Sequence, residues 1–406
     1  MKDTVPKLRI DLEIIPTSYE GQKAFIVKDS LGLIDKPVLL HGGILELVSL
    51  IDGRRNIQDM QLELMRRRKG LLVSSDEISQ ILADLDGLCL LDSDRYQKEK
   101  KRIVTDFKDL TVRAAALAGR AYPSSITALH NYLEAIFPEG TDGKPPPEEK
   151  RIVALIAPHI DLTVGKNVYA KTYGFIKELS PKRILCLGTG HTIVDHLFSL
   201  TDKDYETPLG RVPTDKEKVK SLRQLDLPIV AADDFAHRSE HSIEFQLIFL
   251  QHLFGSDFHF LPVLCGAFPV SMLSSLQPAE ISDVKEFIRH LRHFVDEDPT
   301  ETLVVAGVDL SHIGPKFGHA QPASALIAKA EDHDRVLIDS ICQGDVRRFW
   351  DTVKQVGNRF NVCGFSALAC LMEIFPEARG ECLDYAVWRE EPTQSAVSFA
   401  GIALFA

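Results

Sequence analysis

Long hydrophobic runs are missing from this chain. Every apolar stretch in its 406 residues falls well short of the ~20 that a membrane span needs. The N-terminus, MKDTVPKLRIDLEIIP, has no apolar centre of the kind a secretory signal carries. The expectation is a cytoplasmic protein with no membrane partner. Cysteine pairs are missing too. The seven cysteines (Cys89, Cys186, Cys265, Cys342, Cys363, Cys370 and Cys382) are odd in number and include no Cys-x-x-Cys. That argues against a disulfide framework and against a zinc knuckle, and leaves most of them as small buried apolar groups. Positive charge is in deficit: the formal net charge is −11, so a nucleic-acid partner is not expected. There is no internal repeat and no low-complexity tract.

What is present fits a globular protein of two or three domains, with 45% hydrophobic and 26% charged residues. Residues 1–100 read as a small, mostly helical module. GGILELVSLIDG and NIQDMQLELMRRRKG have helical spacing and end at Gly53 and Gly70. SSDEISQILADLDGL opens with a serine cap and places Ile78, Ile81, Leu82 and Leu85 on one face. LLVS and CLLD read as short strands, so the order resembles a winged helix. The basic run Arg66 to Lys69 suits a solvated helix C-terminus. Residues 101–149 read as a linker, part charged helix and part the proline-rich spacer GTDGKPPPEEK.

From residue 150 the texture changes. RIVALIAPH, RILCLGTGH, LPIVAAD, FHFLPVLCG and TLVVAGVDLSH read as buried strands with helical segments between them. Two last runs, CLDYAVWRE and SAVSFAGIALF, read as antiparallel strands. The fold class is α/β, with a mixed sheet.

Three of the strands end in a histidine: His159, His191 and His312, the last with Asp309 three residues before it. Ligands in open α/β sheets bind outside the carboxyl ends of the strands. Histidines gathered there, beside an aspartate, point to a metal site. In RSEHSIEFQL, Glu240 and His241 read equally as a capped helix start, with Ser239 as cap, or as groups on a pocket rim. Cys363 opens a helix, where a thiol is acidified; alone it reads as a packed cysteine.

These segments together resemble the Memo family, in particular the prokaryotic AmmeMemoRadiSam system protein B members. The matching words are APH at 157–159, LGTGH at 187–191, TPLGRVPTD at 207–215, EHSIEFQL at 240–247, PVLCGA at 262–267, VDLSH at 308–312, CG at 363–364 and SFAGIAL at 398–404. The resemblance implies a fold like that of class III extradiol dioxygenases, with helices on both faces of the sheet. It implies a metal held by His159, His191 and Cys363, with Asp309 and His312 close by. Fe(II) or copper would be the cofactor, with Asp309 and His312 as acid/base and orienting groups; on the pocket-rim reading of RSEHSIEFQL, His241 and Glu240 join them. The expected partners are a small-molecule or peptide ligand, and a radical SAM protein and an AMMECR-type protein of the same system. The N-terminal module looks like the peptide-binding domains of the PqqD type. Departures are APHIDL for the family's APHAGY, Gly190 and Thr192 around the second histidine, and GVD for SSD. Three functions follow: a metal-dependent redox enzyme, a non-catalytic peptide- or metal-binding adaptor, or a zinc-type hydrolase in which His312 or Glu240 activates water.

Overall fold

The computed structural model describes residues 4–29, 31–34, 36–69, 71–137, 150–269 and 277–406. Two compact units divide it, 1–109 and 110–406. Gly70 and most of the proline-rich spacer lie outside the described residues. Among the described residues no helix is long and apolar enough to cross a membrane.

The first unit begins with strands β1 (Leu12–Tyr19), β2 (Gln22–Asp29) and β3 (Val38–His41), an antiparallel sheet in the order β1-β2-β3. Glu20 and Gly21 both have positive φ and make the two-residue turn between the first pair. Helices α1 (Gly43–Val48), α2 (Ile57–Arg67), α3 (Ser75–Gly87) and α4 (Asp94–Lys108) follow. Asn56 and Asp59 form a capping box on α2, and Ser74 caps α3 as its sequence suggests. Ile78, Leu82 and Leu85 of α3 are buried together with Leu47, Met60 and Leu64. The strands therefore precede the helices. LLVS is not a strand, and CLLD supplies only an isolated bridge between Leu91 and Leu8. In CLLD the apolar residues pack without a neighbouring strand, and in LLVS only Val73 is buried while Leu71 and Leu72 face solvent.

In the second unit come β4 (Val112–Arg113), α5 (Ile126–Glu134), β5 (Ile152–Ala157), α6 (Lys166–Gly174), β6 (Arg183–Thr189), β7 (Phe198–Leu200), β8 (Asp204–Thr207), β9 (Gly210–Val212), α7 (Lys216–Arg223), α8 (His241–Phe254) and β10 (His259–Cys265). Then follow α9 (Ser282–Asp296), β11 (Thr302–Gly307), β12 (His312–Ile313), α10 (Ile327–Cys342), α11 (Val346–Gln355), α12 (Phe365–Ile374), β13 (Arg379–Glu390) and β14 (Ser395–Phe405). The main sheet has eight strands in the order β12-β14-β5-β11-β6-β10-β7, with β13 paired to β14. Strands β5, β11, β6 and β10 are parallel; β7 and β14 run antiparallel to their neighbours. The sheet is mixed, as expected. LPIVAAD is not one of its strands. Pro228 has no N–H to give a ladder, and the run contributes a single bridge from Val230 to Phe198.

Alternation along the strands explains the layers. Val153, Leu185, Val263 and Val304 face one core with α7, α9, α10, α11 and α12. Leu155, Cys186, Leu264 and Val305 face the other with α5, α6 and α8. Burial on both faces is why these strands read as continuous apolar runs.

The boundary differs from the one read in the sequence. It falls at residues 109 and 110 and not at 150. Helix α4 belongs to the first unit. Residues 110–137, read as linker, are built into the second: Tyr122, Leu129, Leu133 and Ile136 are buried in the core beside α8.

Candidate functional site

Strands β5, β11 and β6 are neighbours and parallel, so their carboxyl ends share one edge of the sheet. His159 follows β5, Asp309 follows β11 and His191 follows β6. Two helix starts complete the edge. The first turn of α8 crosses the strand ends where Gly307 and Gly188 leave space. A Cβ on Gly307 would sit 2.3 Å from the Ser242 carbonyl oxygen, and one on Gly188 2.6 Å from Ile243. This brings Glu240 and His241 to the strand ends. The start of α12 docks through Gly364, where a Cβ would sit 2.5 Å from that of Val308. The Gly364 amide donates to the Asp309 carbonyl at 3.1 Å. Cys363 is thereby set against His159.

His159, His191 and Cys363 each offer one donor atom, and the three atoms lie within 4.8 Å of one another. His159 Nδ1 is 3.0 Å from the Gly307 carbonyl oxygen. That oxygen only accepts, so Nδ1 carries the hydrogen and Nε2 is left facing the site. Nε2 lies 3.4 Å from Cys363 Sγ and 3.6 Å from Asp309 Oδ2. The Asp309 carboxylate also accepts the His159 backbone N–H at 3.0 Å.

Glu240 organises the other side. It is the N-cap of α8, in place of the Ser239 suggested by the sequence, and accepts from the backbone of His241 and Ser242. It accepts as well from the His191 backbone at 3.1 Å, from His191 Nδ1 at 3.0 Å and from His241 Nδ1 at 3.1 Å. Five N–H groups thus converge on one buried carboxylate, about as many as its lone pairs can take. Glu240 fixes both rings with Nδ1 protonated and Nε2 outward, in the way outer carboxylates orient metal-binding histidines. Glu240, His191 and His241 also bring one possible ligand atom each within 4.8 Å of the others, a second such group among the described residues.

The three imidazoles form a near-equilateral cluster, with ring centres 5.1, 5.0 and 4.9 Å apart. His191 and His241 keep 38% and 35% of their side-chain surface exposed, so they form the open side of the site. His159, Asp309 and Glu240 are buried. His312 stands further off in β12. Its Nδ1 is 3.0 Å from the Leu310 carbonyl and its ring 4.9 Å from that of Phe317. It is not one of the converging donors.

Charge follows from this packing. Burial works against an imidazolium at His159, but Asp309 and Cys363 outweigh it and raise the ring to about 9. Burial likewise opposes charge on His191, and Glu240 and Cys363 overcome it and push it well up. Burial disfavours the Cys363 thiolate, yet the charges of His159 and His312 hold it well below the ordinary thiol range. His241 goes the other way: burial lowers it, against the pull of Glu240. Burial raises Asp309, with His159 opposing. The site thus sets an acidified thiol beside two imidazoles raised above their ordinary range and one lowered below it.

Sequence reasoning missed a third layer. Glu244, paired with Glu240 in the sequence only by helical spacing, is fully buried away from the site. It accepts from Arg113, from the Ala116 and Leu117 amides at 3.0 and 2.9 Å, and from the Tyr122 hydroxyl at 2.5 Å. His237 is fully buried, between the Tyr205 hydroxyl at 2.8 Å and the Ser199 carbonyl at 3.0 Å. Nothing local marked the Glu244 contacts: Arg113 is one of three arginines in the stretch read as linker.

Fold and site define an α/β protein with histidine and cysteine donors at the carboxyl edge of its parallel strands. Residues 113–403 match the Memo-like protein family, and the chain belongs to it. A MEMO1 family protein of Aquifex aeolicus is 30% identical over 386 residues, 94% of this chain and 96% of its own, so that match extends through both units. A MEMO1 family protein of Archaeoglobus fulgidus is 27% identical over 296 residues, covering 72% of this chain and 98% of that one. Another, of Nitrosopumilus maritimus, is 25% identical over 280 residues, covering 68% and 92%. Among solved structures, an uncharacterized protein of Escherichia coli K12 superposes with a TM-score of 0.37 and 16% identity, over 62% of this chain and 99% of its own.

Proposed function

We propose that this Memo-like protein is a metal-dependent redox protein that holds Fe(II) or copper through His159, His191 and Cys363. The observation that carries the reading is the convergence of their three donor atoms within 4.8 Å. The donor set fits such an ion. Two imidazoles have Nδ1 committed to Gly307 and Glu240, leaving Nε2 for a ligand, and the third donor is an acidified thiol. Thiolate with imidazole suits iron or copper better than a hard cation. When bound, the ion would supply redox chemistry on a small molecule or peptide at the open side. The arrangement of parallel strands, helices on both faces and donors at the strand ends is in keeping with the class III extradiol dioxygenase-like fold that the resemblance implies.

The surrounding residues do the rest. Asp309 holds the His159 backbone and balances its charge. His241 presents a neutral Nε2 on the open side, the group best suited to take a proton from an incoming molecule. His312, in β12, lies close enough to Asp309 and Cys363 to act on their charge. A hydrolase with Glu240 as base is disfavoured, because that carboxylate is fully engaged.

Anaerobic titration with Fe(II) and Cu(I) tests the reading in wild type, Cys363→Ser and His159→Ala. Cu(I) affinity should fall much further in Cys363→Ser than Mn²⁺ affinity does, while His159→Ala should weaken every ion. Equal Cu(I) affinity in wild type and Cys363→Ser refutes the thiolate ligand. Zinc as the sole metal bound refutes the redox assignment.

A further inference from the structure

We infer that Arg113 is a positioning residue for the site, acting through Glu240 from a segment that precedes the sheet. Arg113 is fully buried. Its guanidinium donates from Nε to the His237 carbonyl at 2.9 Å, from Nη2 to the Glu240 carbonyl at 2.8 Å, and from Nη1 to the Glu244 carboxylate. These acceptors bracket one junction, the short 3₁₀ turn Phe235–Arg238 and the first turn of α8. One rigid fork therefore fixes the chain on both sides of Ser239 and Glu240. A lysine ammonium, a point charge on a flexible stem, does not match three acceptors spread this way.

The guanidinium is itself held. Glu244 binds it and also takes the Ala116 and Leu117 amides and the Tyr122 hydroxyl. The Arg113 plane lies against Tyr205, 5.1 Å from its ring centre, and Tyr205 bonds His237. The junction is thus gripped by residues 113–122 on one side and by β7 and β8 on the other.

The link to the site is Glu240. Its carbonyl is what Arg113 holds, and its carboxylate is what fixes Nδ1–H on both His191 and His241. Turning this one residue displaces the carboxylate from both rings together. Each ring is then free to rotate or to move its hydrogen to Nε2, which removes the lone pair from the site. A residue that only stabilised the fold would not alter the tautomer of a histidine on the far side of Glu240.

The test uses the full chain carrying Arg113→Lys, with Arg113→Met/Glu244→Gln as a second variant that removes both buried charges. Histidine nitrogens are read by ¹H–¹⁵N correlation at pH 8 in metal-free protein. Wild-type His241 should be a single Nδ1–H tautomer, and in the variants the Nε2–H form should appear. In the same samples Fe(II) affinity should fall about 10–100-fold, the usual effect of losing an orienting partner. A folded variant with the wild-type tautomer overturns the inference, and so does failure of both variants to fold, which would make Arg113 purely structural. Only the affinity readout rests on the metal reading. If wild type binds no iron or copper, that reading fails while the tautomer still decides the role of Arg113.

Discussion

Two truncated chains, one beginning at Leu110 and one at Lys150, separate the observed domain boundary from the one suggested by the proline-rich spacer. The longer chain keeps the second unit whole. The shorter one loses Arg113 and leaves Glu244 as a buried carboxylate without its cation. Breaking such a pair costs about 3–5 kcal/mol. It also loses Tyr122, Leu129, Leu133 and Ile136 from the core. Four buried side chains of this size contribute about 1.5–3 kcal/mol each, or roughly 6–12 kcal/mol together. The loss of about 9–17 kcal/mol matches or exceeds the ~5–15 kcal/mol by which a domain is usually stable. Far-UV circular dichroism and urea titration should find the 110–406 chain cooperatively folded and the 150–406 chain unfolded or aggregated. A 150–406 chain with the same urea midpoint would refute both the boundary and the weight given to Glu244.

Two further outcomes follow from the site. His159 is held up to about 9 by Asp309 and Cys363, so in the metal-free protein its charge stabilises the fold below its ordinary value of 6.5, and that contribution is lost as pH rises through about 9. An ion must displace that proton, so Fe(II) affinity should rise about tenfold per pH unit from 6.5 to 8.5, more steeply if His191 is also charged, and level off above about 9; a flat profile in a chelator competition refutes it. Gly364→Ala should cost about 1–3 kcal/mol of stability, because its Cβ collides with Val308, and should weaken Fe(II) binding by moving Cys363 off His159; calorimetry with an unchanged melting temperature refutes the close approach.

The parallel strands and their terminal histidines were legible because burial on both faces leaves uninterrupted apolar runs, and because a polar ring after such a run has few places to go. What was hidden depends on distant contacts. Glu244 finds Arg113, Tyr122 and the Ala116 and Leu117 amides, all more than a hundred positions away, and nothing local marks them. Glu240 carries the same letter whether it caps a helix, orients two rings or meets solvent. LPIVAAD has a strand's composition, but the place beside β10 is taken by Phe198–Leu200. The β1–β2 hairpin was marked only by its Glu-Gly turn, a weaker signal than Asn-Gly or Asp-Gly.

Strand β14 has a consequence for how the protein is made. All eleven of its residues are buried, with β13 along one edge and β5 and then β12 along the other. The strand that covers the edge of β5 is the one synthesised after every other strand. While a ribosome is still reading the earlier message, β5 carries His159 beside an edge with no partner, the kind of edge that invites pairing with other chains. The metal-binding side chains therefore exist long before the pocket does. A nascent chain needs shielding over that interval, and a stop codon between Cys363 and Ser395 yields a polypeptide that holds all three donor residues yet leaves β5 as an open edge.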